Sequence, residues 1–303
     1  MFSNDKVIEL NTIHYNTLQS DSNNIIMKYL KKYQYNIWEF SFCGMVNDLE
    51  FGEIFYKENN DGLYIYFKDK ITGCTNLYAP PFVDQAKIIE LTKQELTALR
   101  FDNPAPRILR ISPDEIHLYN NDIFEIMNNK IPLFTIIPKQ IEDLSYPHFR
   151  RLRRNIANCL KKYGNPILKK YNKKNCDIIK NLREKWHHNA INRGITPDSN
   201  DAFTWFLSHQ EEYGIDSYEV CLNNMIKGFI SFAPHHDRTC INIFRIADND
   251  FQGLSAFGYL ESLKIISDKY DVVLDGSGSR KSLYDFKKQF TDMVYNEYSV
   301  GLK

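Results

Sequence analysis

Asn242, Arg245, Gly253, Asp275, Gly276, Ser277 and Lys287 are the residues best suited to chemistry in this 303-residue chain. They supply two cations, a carboxylate, an amide and three small residues. Cations and free backbone amides gathered around one point can hold an anion, or stabilise negative charge as it develops. Lys287 is the odd member, because it falls inside the apolar helical stripe of Leu283, Phe286 and Phe290. Two readings of it are open. It is a snorkelling side chain with its ammonium in water, or a cation at the mouth of a cleft near a carboxylate, a carbonyl or a phosphate. For Arg245 the plainer reading is an ion pair with a loop aspartate, Asp248 or Asp250.

Two segments must position this set. The first is Tyr270–Phe290. Val272, Val273 and Leu274 read as a buried strand. Asp275-Gly276-Ser277-Gly278-Ser279 is a loop whose glycines and serines permit a sharp turn with amides turned outward. Ser279 is a fitting N-cap for the helix that carries Phe286 and Lys287. The second segment is the strand Cys240–Ile246. Alternation puts Asn242 and Arg245 on opposite faces, and a bulge near Phe244 brings them together. Arg245 then enters the polar loop Ala247–Gly253, ahead of a helix over Gly253–Ser267, a turn where backbone amides can receive an anion.

The formal net charge is zero, yet between His148 and Gly194 there are 14 Lys or Arg against Asp177 and Glu184. That segment is either a solvated helix face or the footprint of an anionic partner such as tRNA, a nucleotide or a lipid head group. Its core is a helix over His148–Tyr163, where Arg150, Arg151, Arg153, Arg154, Lys161 and Lys162 crowd the polar surface. No nucleophile elbow, phosphate-binding P-loop or dinucleotide fingerprint is present. His187-His188 and His235-His236 are adjacent pairs, the second in a polar turn, and neither has the spacing of a metal site. The six cysteines form no CxxC pair and read as reduced, mostly buried thiols. The N-terminus lacks a signal-peptide pattern. No apolar run approaches the ~18 residues of a membrane span. A cytoplasmic protein without metal or cofactor is expected.

The chain reads as two α+β halves, residues 1–135 and 136–303. The first has a helix over Asp21–Tyr33 and strands at Ile37–Phe42, Phe51–Tyr56, Leu63–Phe67 and Thr75–Tyr78. Asn59-Asn60-Asp61-Gly62 is a hairpin turn. Helices at Gln85–Leu99 and Ile116–Ile126 flank a strand at Arg107–Ile111. The second half repeats the plan: helices, three antiparallel strands, helix, strand, helix, and a last strand at Met293–Val300.

The run GFISFAPHHDRTCINIFRIADNDFQGLSAFGYL resembles the core of the phosphatidylglycerol lysyltransferase C-terminal-domain family. The later GSGS and LYDFKKQF resemble the closing Gly-rich loop and Phe-Lys helix of that family, which FemABX-type peptidyltransferases share. HFRRLRRNIANCLKKY resembles the entry to the family's second domain, and Ala79-Pro80-Pro81-Phe82 a Pro-rich turn in the first. The resemblance covers most of the chain and is sharpest from Gly228 to Phe290. It implies two tandem GNAT-like (acetyltransferase-like) domains, each a mixed, mostly antiparallel sheet flanked by helices. It also implies transfer of an aminoacyl group from aminoacyl-tRNA. The family's strand-end arginine corresponds to Arg245, its loop glycine to Gly253 and its Phe-Lys pair to Phe286-Lys287. The lipid-modifying members have Asp where this chain has Asn242, and an amide does not titrate as a general base.

Three functions fit. In the first, an amine or hydroxyl acceptor attacks aminoacyl-tRNA in the second domain. Arg245, Lys287 or the loop amides stabilise the oxyanion, Asp275 or Asp248 receives the donor's amine, and the basic helix follows the tRNA. In the second, the donor is acyl-CoA or a carrier-protein thioester. In the third, the pair is catalytically inactive and binds RNA or a protein.

Overall fold

The structure, a computed structural model, describes residues 7–10, 13–120, 122–192, 199–278 and 280–303. It divides into two compact units, Met1–Leu133 with Tyr295–Lys303, and Phe134–Val294.

The first unit contains β1 (Val7–Leu10), β2 (Ile13–Thr17), α1 (Ser22–Tyr33), α2 (Phe42–Asp48), β3 (Gly52–Glu58), β4 (Gly62–Asp69), β5 (Thr75–Leu77), β6 (Phe82–Val83), α3 (Ile88–Leu99), β7 (Arg107–Ile111) and β8 (Phe124–Ile136). Strands β1 to β5 run antiparallel in sequence order. The β3–β4 hairpin closes where expected, with Asn59 Oδ1 accepting from the amides of Asp61 and Gly62 at 2.9 and 3.1 Å. After α3 the chain returns as β7, parallel to β5, with Leu77 opposite Ile108. Tyr66, Leu77, Leu96, Ile108 and Tyr119 are among the side chains that fill its core.

Two expected elements of this unit are otherwise. The strand expected over Ile37–Phe42 is a 3₁₀ turn, Trp38–Phe40, followed by α2. Ser41 caps that helix by accepting from the Gly44 amide at 2.9 Å, and α2 is buried through Asn47. A short, mostly apolar run suits a buried helical turn as well as a strand, so periodicity does not separate them. The helix expected over Ile116–Ile126 ends as a 3₁₀ turn at Tyr119, and β8 begins at Phe124. Asn128 and Asn129 are poor strand formers, and tertiary pairing overrides their propensity.

The second unit contains α4 (Pro138–Glu142), α5 (Arg150–Tyr163), β9 (Ile167–Lys170), α6 (Cys176–Asn192), α7 (Asn200–Ser208), β10 (Asp216–Leu222), β11 (Met225–His236), β12 (Thr239–Ala247), α8 (Leu254–Ile266), β13 (Val272–Ser277) and α9 (Lys281–Lys287). Its strand order is β13-β12-β11-β10-β9. All neighbours are antiparallel except β12 and β13, which are parallel from Thr239 opposite Val272 to Ile241 opposite Leu274. His235 and His236 are not in a polar turn. They end β11 as buried residues, and the turn is left to Asp237, with φ +41°, and Arg238.

The last strand, β14 (Val294–Leu302), corrects the expected boundary at 136–303. It pairs antiparallel with β7, Tyr298 opposite Ile111 and Val300 opposite Ile108, so Tyr295–Lys303 belongs to the first unit. This pairing joins segments far apart in sequence, and no local pattern encodes it.

Gly253 shows how closely α8 approaches α5. Its φ is +87°, and a Cβ there would lie 2.7 Å from the Asn155 carbonyl oxygen and 3.0 Å from Cys159 Cβ. Gly253→Ala is expected to cost about 1–2 kcal/mol for the left-handed backbone and about 1–3 kcal/mol more for the overlap. Urea unfolding of the variant measures the loss.

Candidate active site

Residue Ile243 is a bulge. Ser231 pairs with Phe244 and Phe232 with Asn242, leaving Ile243 extra on β12. The bulge shifts the alternation and places Asn242 and Arg245 on one face, with an Arg245 guanidinium nitrogen donating to Asn242 Oδ1 at 3.2 Å. The Asn242 amide nitrogen donates to the carbonyls of Ser231 and Phe244 at 3.0 and 3.3 Å. Its orientation is therefore fixed, and Asn242 presents an acceptor to Arg245 rather than a proton-transfer group.

Asp275 lies on β13, one residue beyond the last parallel pair, and joins both cations. Arg245 donates to Asp275 Oδ2 at 2.8 Å. Lys287 Nζ is 3.2 Å from Asp275 Oδ1 and also donates to the Asp275 carbonyl oxygen. The side chains of Arg245, Asp275 and Lys287 are only 9 %, 4 % and 6 % exposed. Lys287 therefore does not snorkel. Arg245 does not pair with Asp248 or Asp250 either. Both of those pair with Lys185 at 2.8 Å, and Asp248 also with Lys227 at 3.3 Å.

Aromatic faces enclose the cluster. The Arg245 guanidinium is 4.4 Å from the Tyr259 ring centroid and 4.6 Å from that of Phe286, and Lys287 Nζ is 5.6 Å from the Phe134 ring. Such contacts favour a desolvated cation. Burial works against the Asp275 carboxylate, but Arg245 and then Lys287 outweigh it and hold the carboxyl below its ordinary value. Burial first, then the Asp275 charge, push the Tyr259 phenol well above its ordinary range. Among the described residues, one carboxylate pairs with both cations, so this trio carries one positive charge more than negative.

The remaining expected residues are placed as follows. Gly276, with φ +40°, continues β13 beyond Asp275. Gly253 precedes α8. Phe286 is half-buried on α9 and Leu283 is exposed. The side chain of Ser277 and the whole of Ser279, the expected N-cap, lie outside the described residues. The residue before Lys281 in α9 is Arg280, which makes no side-chain cap.

On α5, Leu152 and Cys159 are buried with Ile156 and Tyr163 packed beside them. Arg150, Arg151, Arg154, Lys161 and Lys162 are exposed. Arg153 is different. It is half-buried and donates to the carbonyls of Leu144 and, at 3.0 Å, Tyr146, so it ties down the entry to the helix. Among the described residues, no group of His, Cys, Asp or Glu is arranged to hold a metal, and no helix is long and apolar enough to cross a membrane.

No family model and no curated protein matches the chain, but solved structures do. A conserved protein of unknown function from Bacteroides thetaiotaomicron VPI-5482 is similar over 95 % of this chain and 99 % of that one, with TM-score 0.80 and 14 % identity. FemX is similar over 95 % and 97 %, with TM-score 0.64 and 10 % identity. The C-terminal domain of an Agrobacterium fabrum protein assigned as a lysylphosphatidylglycerol synthetase is similar over 93 % and 91 %, with TM-score 0.65 and 11 % identity. The chain has the FemX fold. It is the α+β, GNAT-like architecture that the resemblance implied, a run of antiparallel strands, a crossing helix and a parallel strand, in each of two units.

Within this FemX-like fold, sequence reasoning missed Tyr259 and Phe134 as the walls of the cluster. Nothing in their local sequence marks them. The available signal was the cluster itself, because two buried cations require aromatic or anionic company.

Proposed function

We propose that the second unit moves an aminoacyl group from aminoacyl-tRNA to an amine or hydroxyl acceptor, and that the first unit takes no part in the chemistry. The observation that carries this reading is the Arg245–Asp275–Lys287 cluster and its excess positive charge, set beside a parallel strand pair in a fold shared with FemX. Attack on an ester makes a tetrahedral oxyanion, and preorganised cations in a site shielded from water stabilise it without reorganising. Asn242 orients Arg245. The incoming acceptor loses its proton to a group other than Asn242. By its name, a lysylphosphatidylglycerol synthetase makes an aminoacyl ester, the class of product that a hydroxyl acceptor would give here. A tRNA donor places the reaction in the cytoplasm and needs no cofactor.

The exposed cations of α5 would follow the tRNA backbone. Arg150→Glu, Arg151→Glu, Arg154→Glu and Lys161→Glu together are expected to weaken tRNA binding and flatten its salt dependence. Each lost phosphate contact removes roughly 0.7–0.9 from the slope of log K against log salt. Filter binding across a salt series measures that slope.

The deciding experiment pairs thermal stability with a transfer assay, using charged tRNA, uncharged tRNA, acetyl-CoA and a longer acyl-CoA. A ligand present at ~100 times its dissociation constant adds about 2.7 kcal/mol to the folded state. Stabilisation by tRNA, with label moving from charged tRNA to an acceptor, supports the reading. Stabilisation by acyl-CoA alone replaces it with a thioester-dependent acyltransferase. Salt-sensitive tRNA binding without transfer replaces it with an RNA-binding module. That third outcome has its own motive, since Asp275 already satisfies both cations.

A further inference from the structure

The first unit has a buried cluster of charged and acidic groups of its own. Arg110 on β7 donates to Asp48 Oδ2 at 2.8 Å and lies 4.0 Å from Glu39 Oε1. Tyr78, one residue past β5, donates to the same Asp48 oxygen at 2.8 Å, and Arg110 sits 4.7 Å from its ring. Glu297 on β14 completes the group. Its Oε1 accepts weakly from Asn129 Nδ2 at 3.4 Å, and Ser299 holds the Asn129 oxygen at 2.9 Å. Three acidic side chains, Asp48, Glu39 and Glu297, thus gather around Arg110.

A second observation is independent of that charge count. Glu297 is only 3 % exposed, and its Oε2 has no hydrogen-bond donor among the described residues. Buried carboxylate oxygens are rarely left so, because the lost hydration goes uncompensated. The hydrogen bonds made nearby go elsewhere. Arg110 and Tyr78 give to Asp48, and Asn129 divides its amide between Glu297 and the Leu109 carbonyl at 3.2 Å. The cluster also reaches solvent. The side chains of Arg110, Asp48 and Glu39 are 20 %, 15 % and 11 % exposed, while Glu297 is more deeply buried. In each unit the cluster begins just past the parallel strand pair. Tyr78 follows Leu77 as Asn242 follows Ile241.

We propose that Asp48, Glu297 and Glu39 form a recognition site for a primary ammonium group, whose three N–H donors supply what Glu297 lacks. The ammonium nitrogen binds between Glu297 Oε2 and the Asp48 carboxylate, with Arg110 as the fixed countercharge. Until the ligand arrives, Glu297 holds a proton. Burial first, then Glu39, raise its pKa to about 8 against the opposing pull of Arg110, with Asp48 adding to the rise. Binding of the cation displaces that proton to solvent. This inference does not depend on the chemistry of the second unit.

The test uses the full chain and propylammonium chloride, with equal potassium chloride and tetramethylammonium chloride as controls. Propylammonium is expected to raise the melting temperature more than either control. Calorimetric titration in two buffers of different ionisation enthalpy is expected to show net proton release at pH 7. Glu297→Gln, which mimics the protonated acid and so keeps the fold, is expected to weaken propylammonium binding about tenfold or more and to abolish the proton release. Asp48→Asn is expected to weaken binding while leaving the release per bound ligand in place. Equal stabilisation by tetramethylammonium, which has no N–H, overturns the proposal. So does unchanged binding by Glu297→Gln.

Discussion

Asp275→Ala lowers the stability of the chain by about 3–5 kcal/mol in urea unfolding, the range for removing one partner of a buried ion pair. The substitution leaves Arg245 and Lys287 buried beside one another with no carboxylate between them. The aromatic faces of Tyr259 and Phe286 offset little of that, since a cation–π contact contributes about 2 kcal/mol at best when desolvated. Asp275→Asn keeps the shape and one acceptor but loses the charge, and falls between wild type and alanine. Replacing all three members together by Met, Leu and Met has a far smaller effect, or stabilises, because no uncompensated charge remains. The pH dependence has a definite sign. The folded-state pKa of Asp275 is depressed, so its contribution is complete above the ordinary carboxylate range and is lost as pH falls through the folded value. A stability profile of Asp275→Asn against wild type should converge in acid. Parallel profiles down to the acid limit would show that the carboxylate is not held by the two cations.

Arg245→Ala and Lys287→Ala each slow transfer by about 10²–10³ per folded molecule, the usual effect of removing one donor to a developing oxyanion. The reason lies in the charge balance. With either cation gone, the remaining one is neutralised by Asp275 and the excess positive charge disappears. At ~4 Å and an effective dielectric of about 20, one unit charge is worth roughly 4 kcal/mol, which is of the right order for such a loss. Either single variant keeps one salt bridge to Asp275, so enough protein folds for assay. Arg245→Lys keeps the charge but not the fork-shaped donor set, and recovers part of the rate only if charge, not orientation, is what Arg245 supplies. Asn242→Ala frees Arg245 to rotate without altering the charge and gives a smaller loss. Single-turnover rates on protein of known folded fraction decide the matter. Wild-type rates in both alanine variants would assign the cluster to the core alone.

The parts of this site that were legible in the sequence are those built from neighbours. Val272–Leu274 reads as a strand ahead of a helical stripe, and Lys287 falls where that pattern puts it, whereas Asp275 and Gly276 lie on β13 rather than in the expected loop, because the strand runs on to Ser277. The bulge that joins Asn242 to Arg245 was expected from a polar pair three residues apart on a strand. What was not legible depends on pairing over distance. Arg245 had two aspartates close by in sequence and chose a third on another strand. The first unit's cluster draws on α2, β7 and β14, and nothing near Glu297 foretells Glu39 or Asp48. The strand β8 was hidden for a related reason, since its asparagines are tolerated for the hydrogen bonds they make, as Asn129 makes to Leu109, Glu297 and Ser299.

The return of β14 to β7 has a consequence for folding. The second unit, Phe134–Val294, is continuous in sequence, but the first needs Tyr295–Lys303 from beyond it to supply β14. The half that begins first must finish last. Until β14 pairs, β7 has an unpaired edge where Ile108 and Ile111 await Val300 and Tyr298, which is the kind of exposed edge that recruits other chains. Protection of that edge should therefore come not with the first unit's early strands, but only when Tyr295–Lys303 is available to pair with β7.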